Sequence, residues 1–140
     1  MNFSLEIGPH TDLETLPPVK DVYITLLPGG DYKDTAQKAE DLIKQGFNPV
    51  PHFPARSIKN DAELKDYVSI CKGVGVKQGL VIGGSREPVG KFDSSLQILE
   101  TGFFNGIKIG IAGHPEGSPD ISDSSLEKAM IDKKPYADYI

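Results

Sequence analysis

One cysteine in 140 residues leaves Cys71 without a partner for an intrachain disulfide, and no cluster of cysteine and histidine has zinc-site spacing. A disulfide framework and a structural zinc are therefore both unexpected. Lysine and arginine are scattered rather than clustered, and the formal net charge is -5. A phosphate-binding surface wants concentrated positive charge, so no nucleic-acid partner is expected. No apolar run approaches the ~20 residues of a membrane span. The opening MNFSLEIG is too short and polar for a signal peptide, so a cytoplasmic protein with no membrane association is expected. With 38% hydrophobic and 25% charged residues, the chain can bury the core of one domain and is too apolar to be disordered.

What is present alternates. Apolar runs of strand length stand at 3 to 7, 22 to 27, 48 to 53, 79 to 82 and 107 to 112, each followed by glycine or proline. Helical spacing fills the gaps. Ala36, Ala39, Leu42 and Ile43 share one face over 34 to 46. Asn60 can cap a helix in which Glu63 reaches back, Leu64, Tyr67, Val68 and Cys71 fall on one face, and Gly73 ends the run. Cys71 then reads as a core residue. Asp93 or Ser94 can cap a helix bearing Leu96, Leu99 and Phe103, and Asp123 one bearing Leu126, Ala129 and Met130. The adjacent prolines at 17 and 18 allow only a short helix in the first connection, and YADYI at the end reads as the opening of another strand.

Repeated strand and helix units with near-continuous apolar strands predict an α/β fold of parallel strands joined by right-handed crossovers, as an open doubly wound sheet or a piece of a barrel. Ligands in such folds bind at the carboxyl ends of the strands. Glu6, Thr25, His52, Gly83 with Gly84, and His114 with Glu116 all fall at or just past those ends. From spacing alone, each keeps a structural alternative. Glu6 fits a surface carboxylate, Thr25 an ordinary strand former, His52 a satisfied core histidine, GGSREP a plain turn, and His114 a corner residue bonding its own loop.

Five motifs in order carry a resemblance. SLEIGP is similar to the first-strand SFEFFPP of the methylenetetrahydrofolate reductase family, YITLLPGG to its VTYGAGG, VPHFPA to its PHLTC stretch, LVIGGSREP to its ALRGDPP loop, and AGHPEGSPD to its AGYPEGHPE. The resemblance spans essentially the whole chain. It implies a TIM barrel, of which this chain holds about five of eight βα units as a single incomplete (β/α) domain over 1–140. It also implies FAD at the rim, NAD(P)H as hydride donor and methylenetetrahydrofolate as the folate substrate. Glu6 takes the place of the family's general acid, which protonates the folate amine; an apolar surround and a neighbouring flavin suit it to that task. Thr25, Leu26, Pro28, His52, Gly83, Gly84, Ser85, Phe92, Asp93, His114, Ser118 and Asp120 are implied around the cofactor, with Gly90 and the helix start at Ser94 near its diphosphate.

The motifs also depart from the family. Gly83 replaces an arginine and Ser85 an aspartate of its RGD, with Arg86 one turn later, and Ser118 stands where a second histidine is common. The basic pair Lys133 and Lys134 aligns only loosely with a cofactor-binding lysine. An unclosed barrel exposes sheet edges, so a homo-oligomer or a missing C-terminal half of the barrel is expected to complete the wall. Two other functions stay open: a truncated, non-catalytic remnant or assembly module that keeps the fold without flavin, and a phosphate-binding barrel enzyme using Ser85 and Arg86.

Overall fold

The computed structural model describes residues 4–17, 19–27, 29–83 and 87–111. Among the described residues, five strands form one sheet: β1 (Ser4–Ile7), β2 (Asp21–Ile24), β3 (Asn48–Pro54), β4 (Gln78–Ile82) and β5 (Lys108–Ile111). Every neighbouring pair is parallel, and the strands lie side by side in chain order. Crossovers of one hand between successive strands stack their helices on one face, whereas a doubly wound sheet reverses order at a switch point. Among the described strands there is no reversal, so this is the winding of a barrel arc.

Helix α1 (Tyr32–Lys44) joins β2 to β3, α2 (Asp61–Val74) joins β3 to β4, and the short α3 (Ser95–Leu99) precedes β5. Each starts on a residue in extended conformation, Asp31, Asn60 and Ser94, and the carboxylate or amide oxygen of the first two accepts a helix N–H. Among its described residues, the first connection holds a single 3-10 turn, Leu13–Thr15, in keeping with its prolines.

The buried face of α2 is Leu64, Tyr67, Val68 and Cys71, as the periodicity predicts. Its end differs. The helix runs through Gly73 to Val74, and Gly75 terminates it at φ 105°, where its N–H turns back on the Cys71 and Lys72 carbonyls. That left-handed backbone favours glycine, and either glycine of GVG satisfies the composition of a helix stop. Likewise α1 starts two residues earlier than the periodicity suggests, and α3 stops before Phe103, with Gly102 at φ 72°. The helix predicted after Asp123 and the strand opening at YADYI lie outside the described residues.

The core lies between sheet and helices. Val22, Ile24, Phe53, Val81, Ile109 and Ile111 are buried with Ala36, Ala39, Leu42, Leu64 and Tyr67. Phe53 packs its ring 4.4 Å from Tyr67 and 5.0 Å from Phe104, centroid to centroid. Burial pushes the Cys71 thiol up to about 12, so it packs as a small apolar group and has no thiolate to react with. Along β2 and β4 burial alternates, since one side of the sheet meets helices and the other does not. Among the described residues, no helix is long and apolar enough to cross a membrane.

Candidate functional site

Strand alternation and register put the even and odd residues of these strands on opposite faces. Glu6 pairs with Tyr23, Tyr23 with Val50, and His52 with Leu80. The face turned away from the helices therefore carries Glu6, Tyr23, Thr25, Val50, His52, Leu80 and Ile82. At the amino ends of the strands, this face is closed by a polar ladder. The Asn48 amide donates to the Asp21 carboxylate at 3.0 Å and to the Gln78 side-chain oxygen at 2.5 Å. At the carboxyl ends it opens into the rim where a barrel of this winding holds its ligands.

Glu6 and His52 meet there. The Glu6 Oε1 lies 3.7 Å from His52 Nε2, with the glutamate side chain 62% exposed and the histidine 9%. The Tyr23 ring meets the imidazole edge to face, 6.2 Å away at 64°. From behind the sheet, the Tyr67 hydroxyl donates to the His52 carbonyl at 2.7 Å, which ties this strand position to α2. Burial pushes the His52 pKa down, and the Glu6 carboxylate pulls it partly back. Burial prevails, so the imidazole is neutral at neutral pH.

A stability consequence follows. The unfolded histidine titrates near 6.5 and the folded one lower, so between those values the unfolded chain binds the extra proton and folding free energy rises with pH. Stability is expected to fall as pH drops below about 6.5 and to level off below the folded value. Urea unfolding across that window is the measurement, and His52→Gln should flatten its share of the slope.

The other implied residues divide. Thr25 is half-buried at the rim; its N–H donates to the Ile7 carbonyl at 2.9 Å, and its own carbonyl accepts from the Thr35 hydroxyl at 3.0 Å. Gly83 stands just past β4, and nothing lies within 4 Å of where a Cβ would project. Leu26 and Phe92, by contrast, are core residues. The amides of Asp93 and Ser94, expected to be free for a phosphate, both donate to the Gln97 side-chain oxygen, at 2.6 and 3.2 Å. Pro28, Gly84, Ser85, Arg86, His114, Glu116, Ser118, Asp120, Lys133 and Lys134 lie outside the described residues.

Gly90 has a different reason to be glycine than approach to a cofactor. A Cβ there would sit 1.9 Å from the Lys59 carbonyl oxygen, because the loop after β4 lies directly on the loop after β3. The same two loops are laced by Arg56 N–H to the Gly83 carbonyl at 3.0 Å, Val89 N–H to the Arg56 carbonyl at 2.9 Å and Lys91 N–H to the Lys59 carbonyl at 3.1 Å. The Arg56 Nε donates to the Asp93 carbonyl at 2.9 Å, and the Lys91 ammonium pairs with Asp61 at 2.9 Å.

No model of a known protein family matches the chain. Two rim residues escape the sequence reading. Tyr23 alternates like any strand aromatic, and Arg56 carries no motif; only the register of β1 to β3 and the loop contact single them out. Among the described residues, no group of three or more histidine, cysteine, aspartate or glutamate side chains is placed to hold a metal ion.

Proposed function

We propose that this chain is the flavin-binding part of a methylenetetrahydrofolate reductase-like oxidoreductase of one-carbon metabolism, acting in the cytoplasm. It would pass hydride from NAD(P)H through FAD to methylenetetrahydrofolate. One observation carries the reading: a carboxyl and a buried neutral histidine from separate βα units converge at one rim of a barrel-wound sheet. The five-motif likeness supplies the identity of the chemistry. A ring cofactor suits the open backbone at Gly83 and the aromatic surface of Tyr23 and His52. A bound flavin supplies a two-electron carrier between nicotinamide and folate.

The chain's own part in the reaction is placement and proton supply. Glu6, exposed at the rim, is accessible to a substrate and hands a proton to the folate amine nitrogen. Gly83 lets the ligand close on backbone, and the laced loops hold the rim in shape. Further barrel strands or a second copy complete the wall, so the working unit is a longer barrel or a homo-oligomer.

The test is an absorbance titration with FAD beside a native mass measurement. Purified protein is expected to develop a bound-flavin spectrum. Glu6→Gln should keep that spectrum and lose roughly 100-fold in reductase kcat. Colourless protein that takes up no added FAD overturns the reading and favours a non-catalytic module of the same fold.

A further inference from the structure

We propose that His52 is a positioning residue for the Glu6 carboxyl, holding it from across the intervening strand. This deepens the function proposed above and rests on it only for the catalytic consequence.

The two residues are not neighbours in the sheet. Glu6 belongs to β1 and His52 to β3, with β2 between them. Strands lie about 4.8 Å apart, so the two backbones are roughly 10 Å from each other. Even so, their polar ends come within 3.7 Å, so the two side chains span the intervening strand. The members differ in freedom. His52 is 9% exposed, has Tyr23 against its ring, and its carbonyl is tied to Tyr67. Glu6 is 62% exposed. The histidine is the fixed partner and the carboxyl is the one being placed.

A second histidine provides the contrast. His10 approaches Asp34 at the same 3.7 Å, but with side chains 80% and 51% exposed. An exposed pair of that kind holds neither member still.

The charge logic fits a placing role. Among the described residues, Glu6 from β1 and Tyr23 from β2 are the titratable groups facing the imidazole. Leu80, its register partner on β4, is apolar, and Tyr67 of α2 reaches its carbonyl from the other side of the sheet. A neutral imidazole has one nitrogen that donates and one that accepts. It can therefore accept from a protonated Glu6 or donate to the carboxylate left after transfer. The proton that moves passes from the Glu6 oxygen to the substrate amine nitrogen, and His52 keeps its own.

The test begins without flavin. Histidine ring signals are followed by NMR against pH in the full chain with labelled histidine. Glu6→Gln, a change at an exposed side chain, is expected to lower the His52 pKa further by removing the carboxylate's attraction. Asp34→Asn, at an exposed carboxylate distant from this face, should leave the His52 titration unmoved. A His52 titration identical in wild type and Glu6→Gln overturns the proposal. The second arm uses FAD-saturated protein. His52→Leu is expected to lose roughly 10- to 100-fold in kcat with the KM for folate little changed. His52→Gln, which can still hydrogen-bond the carboxyl, should recover much of that loss. Equal kcat in wild type and His52→Leu overturns the positioning role. Coupled titration in protein that binds no flavin would sink the function above while supporting the pair. Reductase activity with uncoupled titration would sink the pair alone.

Discussion

Gly90→Ala is expected to destabilise the protein by about 3 kcal/mol or more, since the added Cβ meets backbone and not a flexible side chain. The nearest atom is the Lys59 carbonyl oxygen at 1.9 Å, with that residue's carbonyl carbon and Cα at 2.6 and 2.7 Å. Nothing can yield without moving a loop. Separation by an ångström or more breaks the Lys91 to Lys59 backbone bond and pulls the Lys91 ammonium from Asp61. For a domain of this size the loss corresponds to a fall in Tm of roughly 10 °C or more. Gly73→Ala is the matched control. That glycine lies within α2, with nothing near its would-be Cβ, and alanine there should stabilise by about 0.5 to 1 kcal/mol through helix propensity. Thermal unfolding of the two variants side by side decides the matter; equal Tm values would refute the loop-on-loop contact. Because these loops form the rim, Gly90→Ala should also weaken whatever binds there.

The second large effect is expected at Phe53. This fully buried ring fills the space between sheet and helices, against Tyr67 and Phe104. Removing it in Phe53→Ala should cost about 3 to 5 kcal/mol, the transfer term plus the cavity left behind. The ring also explains a glycine. A Cβ on Gly79 would stand 2.6 Å from the Phe53 Cε2 and 3.1 Å from its Cδ2, so β4 gives up a side chain there to let the ring lie flat. Gly79→Ala alone should cost about 1 to 3 kcal/mol by overpacking. Combined with Phe53→Leu, it should cost less than the sum of the single changes, with a coupling of about 0.5 to 3 kcal/mol. Urea midpoints of the four proteins measure that cycle. Strict additivity would show that the two positions do not share this space. His52 follows Pro51 and precedes Phe53 on the same strand, so Phe53→Ala is also expected to disturb the Glu6 and His52 approach.

Several features were legible in the residues because they depend on local chemistry. The strand and helix alternation, the Asn60 cap and the buried stripe of α2 all follow from periodicity and from which side chains can satisfy a free N–H. Boundaries were less legible. Gly73 and Gly75 are equivalent as composition, and only the backbone path chose the second. The strand expected to continue to Leu27 stops at Ile24, although Thr25 still bonds across to Ile7. In the loop after β4, glycine, aspartate and serine looked like a cradle for phosphate. There Gln97 takes the amides and the Lys59 carbonyl takes the space beside Gly90. A sequence shows that a position needs a small residue or a free amide, but not which group comes to meet it.

The amino-acid order by itself determined that parallel strands alternate with helices and that Glu6, Thr25 and His52 belong to the carboxyl-terminal halves of strands or just past them, because period, capping and glycine placement act within a few residues. Two matters were left to the tertiary structure. The winding in chain order, which makes an arc and not a doubly wound sheet, depends on which strands pair. The meeting of Glu6 with a buried His52 across β2 depends on the register of three strands. Both are contacts between residues distant in the chain, set by how whole faces bury against one another and not by any local preference.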